Sequence, residues 1–179
     1  LEHSPLRPGD VEDLDGLKQW LLPRQYPQAL AGAVRLLAAR ARSTGEIRQK
    51  LEAYGYMDDT VDMVLYKLEK EGLLDDEAFA CEWAAARARH QIGRGRILRE
   101  LVHKGVSRDV AERAVDALDR EEGDAAALAL AQKLLHRYAG EPDAKKAMAK
   151  LMAAMARRGY DFESARRAVE QALEEAQGE

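Results

Sequence analysis

One cysteine, Cys81, stands among the 179 residues, so no disulfide can form within the chain. No apolar run approaches the roughly 20 residues needed to cross a bilayer, and no charged-then-apolar leader opens the sequence; a cytoplasmic protein is expected. Leu1 stands where a methionine would begin a gene product, so it and its neighbours read as a remnant of expression. Signatures of catalysis are missing as well. His3, His90, His103 and His136 are scattered, and no serine or cysteine stands in a recognisable nucleophile motif. Neither a Cys-x-x-Cys nor a His-Glu-x-x-His spacing occurs. The expectation is a protein without enzymatic activity, metal or cofactor. Cys81 lies in an Ala-rich stretch and reads as a small buried hydrophobe.

Aromatic residues are also few, at 6%, and proline occurs five times. Much of the remainder is alanine, leucine, glutamate and arginine, all strong helix formers, so the expected class is all-α. Apolar residues make up 46%, enough for ordinary cores, and their order repeats. Ile47, Leu51, Gly55, Val61, Val64, Leu65 and Leu68 form one copy, and Ile97, Leu101, Gly105, Val110, Ala114, Val115 and Leu118 a second. Leu151, Met155, Gly159, Ala165, Ala168, Val169 and Leu173 form a third. In each copy two apolar residues precede a glycine by eight and four positions, and the copies recur about every fifty residues. A glycine just after a helical stripe ends the helix in a left-handed turn. Asp58, Ser107 and Asp161 then stand where they can cap the helix that follows. Ser43 with Glu46 three residues later is a capping box.

These signals divide the chain into a partly flexible N-terminal arm (1–26) and three three-helix repeats (27–72, 73–122 and 123–179). A first helix runs from about Pro27 to Ala41, with Ala29, Ala33, Leu36 and Leu37 on its apolar stripe. Gly72 through Ala80 reads as an inter-repeat joint anchored by Phe79, and Gly123 with Asp124 restarts the pattern. A unit of some 45 residues is small for an independent core, so neighbouring repeats are expected to share apolar faces. Nine helices stacked in this way would form an elongated, curved array on the order of 60 Å long.

The formal charge is −4, from 28 basic and 32 acidic residues, which argues against a uniformly basic nucleic-acid coat protein. The charges are nonetheless segregated. Arg87, Arg89, Arg94, Arg96, Arg99, Lys104 and Arg108 fall in one stretch in which Glu100 is the only acid. Arg96, Arg99 and His103 share a helical face there, with Arg94 at the helix start and Ile97 and Leu101 on the core side. Arginine forks of this kind pair with phosphates or with the carboxylates of an acidic partner. Lys145, Lys146, Lys150, Arg157 and Arg158 form a second basic strip. Gly93-Arg94-Gly95-Arg96 suggests a phosphate loop, but no strand, third glycine or Gly-Lys-Ser/Thr ending accompanies it, and a plain helix-to-helix turn accounts for both glycines. Helix-turn-helix reading of duplex DNA is a further rival. The supposed recognition helices, near Asp58 to Glu71 and Asp109 to Arg120, carry acids that phosphates would repel.

Arg87-x-Arg89-x-x-x-Gly93-x-x-Arg96-Ile97-x-x-Glu100-Leu101-x-x-Lys104-Gly105-Val106 resembles the second-repeat motif of the RecX family, regulators of the RecA recombinase. Gly72-Leu73-Leu74-Asp75-Asp76 with Phe79-Ala80 resembles that family's joint motif. Arg40-x-Arg42-Ser43-x-x-Glu46-Ile47-x-x-Lys50-Leu51 resembles its first-repeat motif. The resemblance spans about Ala29 to Ala172, and it is carried in the third repeat by Arg157-Arg158-Gly159-Tyr160. Tyr54 departs from it, standing where the family usually has a basic residue. Nothing in the sequence suggests a coiled-coil seam, and a monomer is expected; the resemblance implies a small helical protein that lodges in the groove of a RecA nucleoprotein filament and hinders ATP turnover, strand exchange and repressor cleavage. It also implies a place in homologous recombination, DNA repair and the SOS response. Under it, Arg94, Arg96, Arg99 and Lys104 contact acidic RecA surface or filament DNA. Arg87, Arg89, Lys145, Lys146, Lys150, Arg157 and Arg158 complete the candidate partner- or DNA-binding set. Weak binding to bare single-stranded or duplex DNA is a further expectation; autonomous DNA binding without RecA, or a scaffold for some other partner, are the alternatives.

Overall fold

Ser43 opens the first repeat's second helix as its sequence suggests. Its hydroxyl accepts from the Glu46 amide at 3.1 Å while a Glu46 carboxylate oxygen accepts from the Ser43 amide at 3.4 Å. Arg40 grips the same carboxylate through two bonds of 3.0 and 3.1 Å, and Ser43 itself is fully buried. Repeated three times with variations, such local devices give nine helices and no strand among the described residues, which in this computed structural model are 14–178. They are α1 (Leu14–Ala39), α2 (Thr44–Ala53), α3 (Asp58–Lys70), α4 (Asp76–Arg89), α5 (Arg94–His103), α6 (Arg108–Asp116), α7 (Arg120–Tyr138), α8 (Ala144–Arg158) and α9 (Phe162–Gly178).

The middle helix of each repeat ends in the same hydrogen bonds. Gly55, Gly105 and Gly159 have φ of 83°, 81° and 94°. Their amides donate to Glu52, Val102 and Ala156, and the amides of Tyr56, Val106 and Tyr160 donate to Leu51, Leu101 and Met155. That pairing satisfies the last carbonyls of the helix and fixes the angle at which the next helix leaves. It brings the two apolar stripes of a repeat together. Ile47, Leu51, Val61, Val64 and Leu68 are fully buried in repeat 1, and Ile97 and Leu101 in repeat 2. Leu151, Met155, Ala165 and Val169 are buried in repeat 3.

The chain divides after Asp75 into two compact units. The first contains one core, in which Ala29 and Ala33 of α1 pack on α2 and α3. The second contains two, one built on α4, α5 and α6 and the other on α7, α8 and α9. The buried residues of these two cores form separate clusters.

Several boundaries differ from the sequence reading. The helix expected to start near Pro27 starts at Leu14 and runs through Pro23 and Pro27. Proline lacks an N–H and is disfavoured inside a helix. Tertiary contact outweighs that cost here: the Gln25 side-chain oxygen accepts from the Met57 amide at 3.1 Å and the Thr60 hydroxyl at 3.2 Å, and Tyr26 packs against the core. Asp58 does not cap α3, because the N-cap position falls on Met57, which makes no side-chain cap bond; Gln25 instead ties the start of α3 to α1. Ser107 and Asp161 do cap, accepting from Val110 at 3.4 Å and Ser164 at 2.8 Å. The rest of the expected arm, 1–13, lies outside the described residues. Gly123 sits inside α7, since Asp119 caps that helix by accepting from Glu122 at 3.0 Å. Cys81 is exposed rather than buried, because α4 turns Phe79, Ala80 and Ala84 inward.

Ser43→Ala removes a buried cap and is expected to cost about 1–2 kcal/mol in urea unfolding. Ser107→Ala, at an exposed cap, should cost less in the same measurement.

Candidate partner-binding face

The basic stretch of repeat 2 resolves into groups of different character. Glu100, its one acid, lies between two guanidiniums. Arg87 at the end of α4 forks onto it with two 2.7 Å bonds, and Arg96, one turn before it in α5, adds a third at 2.9 Å. The Arg87 bonds foremost, then those from Arg96, hold the Glu100 carboxyl below the usual range against the opposing effect of burial. Arg94 donates to the Leu118 carbonyl at 2.6 Å and stands 3.9 Å from Asp116. The Lys104 ammonium sits 4.0 Å from the ring centroid of Trp83 and 5.9 Å from that of Phe79, a cation-π arrangement. Arg87, Arg94, Arg96 and Lys104 thus each have a partner within repeat 2. Arg89 and Arg99 are exposed and make no ion pair among the described residues.

The second strip divides too. Near the start of α8, Lys146 lies 3.9 Å from Asp143, and Lys150 bonds Glu141; Lys145 is exposed. Arg157 and Arg158, exposed at its end, are about 18 Å along the helix from Lys145 and Lys146 at 1.5 Å of rise per residue. The structure separates these two ends of the strip and brings the far end to repeat 2.

The meeting point is a contact between backbones. The Gly93 amide donates to the Arg158 carbonyl at 2.8 Å, and the Gly95 amide to the Gly159 carbonyl at 3.1 Å. Arg96 reaches the Arg157 carbonyl at 3.5 Å, and Arg158 reaches the His90 carbonyl at 3.3 Å. Amides at the start of α5 thus meet carbonyls at the end of α8, so the positive end of one helix dipole faces the negative end of the other. Of the Gly93-Arg94-Gly95-Arg96 amides that resemble an anion cradle, those of Gly93 and Gly95 are engaged in this contact. Both glycines serve that contact, which the plain-turn reading did not foresee.

Along this seam Arg96 of α5 reaches the Arg157 carbonyl of α8, and the Arg99 guanidinium lies 3.9 Å from where a Gly95 side chain would begin. Arg99 and Arg157 make no ion pair among the described residues. A cleft of about 770 Å³ between the same repeats carries Arg89, Arg94, Arg120 and Arg167 but also Asp119, Glu122, Asp124 and Asp161, so it does not extend a uniformly basic surface. Among the described residues no cluster of three or more His, Cys, Asp or Glu side chains could hold a metal, and no helix is long and apolar enough to cross a membrane. Sequence reasoning missed the double grip on Glu100, although the i,i+4 spacing of Arg96 and Glu100 was a usable signal.

Comparison with known proteins places this arrangement in a wider group. The first, second and third three-helix domains of RecX match residues 29–68, 75–115 and 121–169. A protein named Regulatory protein RecX from Amycolatopsis mediterranei is 36% identical over 137 residues, covering 76% of this chain and 78% of its own. One of the same name from Mycolicibacterium vanbaalenii is 38% identical over 141 residues, covering 75% and 76%. The crystal structure of RecX from Lactobacillus salivarius shares the fold, with a TM-score of 0.76 at 19% identity over 84% of this chain and 98% of that one.

Glu100→Gln keeps the shape of the side chain but removes the charge that two arginines share, and is expected to cost about 1–3 kcal/mol at pH 7. A carboxyl depressed in the folded state stabilises above its unfolded pKa, and that contribution is lost as pH falls through the folded value. The stability gap between wild type and Glu100→Gln should therefore close on acidification, as measured by denaturant unfolding from pH 7 to pH 3.

Proposed function

The chain belongs to the RecX family, and we propose that it regulates RecA by binding the groove of the RecA–DNA filament. Bound there, it inhibits RecA ATPase, strand exchange and coprotease activity. It acts as a monomer in the cytoplasm and carries out no chemistry of its own.

The observation that carries this reading is the cationic face across the α5–α8 seam. Arg99 and Arg157 are exposed there and spend no charge on internal acids among the described residues. Arg96 and Arg158 flank them with donors partly engaged by the fold. Guanidiniums in this state bind a phosphate or carboxylate without first giving up an internal partner. Lys104 and Arg87 support the face from beneath, through Trp83 and Glu100. Arg89 and the Lys145, Lys146, Lys150 group are secondary contacts. A filament repeats its surface at fixed intervals, and several modest contacts from tandem repeats sum to a strong one.

Arg99→Glu with Arg157→Glu should weaken binding to a nucleotide-locked RecA filament about tenfold or more and relieve ATPase inhibition in proportion, with helicity unchanged. Binding to bare single-stranded DNA, bare duplex and the locked filament is measured at one salt concentration. Equal, steeply salt-dependent affinity for all three would favour an autonomous DNA binder instead.

A further inference from the structure

Gly93 has φ −72°, an ordinary value that any residue adopts. Its lack of a side chain is needed for another reason. A Cβ there would stand 2.4 Å from the Gly159 carbonyl carbon and 2.5 Å from its oxygen, both backbone atoms that cannot swing aside. One at Gly159 would meet the Arg96 Cβ at 2.3 Å, and one at Gly95 the Gly159 oxygen at 3.2 Å. Three glycines, two from repeat 2 and one from repeat 3, keep this line of contact clear of side chains.

What the contact holds is arginine. Arg157 and Arg158 immediately precede Gly159, Arg96 lies directly on it, and the Arg99 guanidinium comes within 3.9 Å of where a Gly95 side chain would begin. We propose that the Gly93–Gly159 seam is the positioning element of the partner-binding face. It holds the α5 arginines and the α8 arginines in one register, so that Arg99 and Arg157 engage the same segment of the filament together. This rests on the reading that the face binds the RecA–DNA filament. The glycines touch no partner and act through the arginines on either side. Gly55, which ends its helix with the same hydrogen bonds, has nothing within 4 Å of the corresponding position.

The test is a double-mutant cycle on filament binding, with Arg99→Glu and Arg157→Glu measured singly and together in two backgrounds. In the wild-type background, residues that share a partner segment should be non-additive by about threefold or more. In a Gly93→Ser background the serine can still cap α5, but its Cβ wedges the seam. Affinity for the nucleotide-locked filament should then fall about tenfold and the two reversals should become additive. Circular dichroism should show the helices intact. If Gly93→Ser loses helicity, Gly95→Ala keeps the test, because alanine favours the helix and its Cβ is a milder wedge; a smaller loss of affinity with the same loss of coupling is expected.

Wild-type affinity in the seam variants, or undiminished coupling between Arg99 and Arg157, overturns the proposal. Single reversals that leave wild-type binding unchanged overturn the reading of the face itself, and the seam proposal with it. A fall in melting temperature alone, with affinity and coupling intact, assigns the seam to stability and equally overturns it.

Discussion

A helix leaves its first amides and last carbonyls without partners inside the helix, and the second unit of this protein depends on how two such ends are matched. The amides that open α5 are donors in want of acceptors, and the carbonyls that close α8 are the reverse. Set against each other at 2.8 and 3.1 Å, each supplies what the other lacks, and the favourable dipole alignment comes with it. Backbones can approach this closely only where side chains are absent, so the contact requires Gly93, Gly95 and Gly159 together. Repeats 2 and 3 are thus joined by polar backbone groups while each retains a core of its own. A slippery apolar interface could tolerate sliding. Directional hydrogen bonds between main chains fix the register.

The same turn is put to two uses. In all three repeats the glycine after the middle helix pairs its own amide and the next one with the helix's last carbonyls, which sets the following helix across the core. Gly159 does this and also receives α5. Its left-handed φ of 94° leaves its carbonyl directed at the Gly95 amide, so one residue closes its own repeat and holds the neighbouring one. A tandem repeat can acquire a joint without losing the local structure from which the joint is made, because the two roles use different atoms.

That duality explains what could be read in the chain and what could not. Ile47, Leu51, Ile97, Leu101, Leu151 and Met155 announce themselves by a spacing visible within one helix turn or two, and all are buried. The Ser43–Glu46 box and the ends at Gly55 and Gly105 are equally local. Gly93 is different: its reason lies in a partner more than sixty residues away along the chain, as the Arg96–Arg157 separation of 61 shows. Pro23 and Pro27 misled because their cost is local while the compensation, through Gln25 and Tyr26, is tertiary. Cys81 misled because an Ala-rich helix gives little contrast between its faces, and only the choice of Phe79 and Ala80 as inward residues decides the matter.

The basic stretch shows the limit of counting charges. A guanidinium that already satisfies a carboxylate, a carbonyl or a ring offers a partner less than its formal charge implies, since any new bond must displace an old one at comparable strength. Arg87 and Arg96 divide one Glu100, Arg94 is spent on Leu118 and Asp116, and Lys104 lies against Trp83. The same commitments hold the backbone and side-chain stems that Arg99 projects from. A side chain that emerges from a rigid, internally satisfied surface loses less entropy when it binds than one that must first be ordered. The engaged arginines and the exposed ones are therefore parts of one arrangement, in which the majority stiffen the surface and Arg99 and Arg157 remain available at its seam.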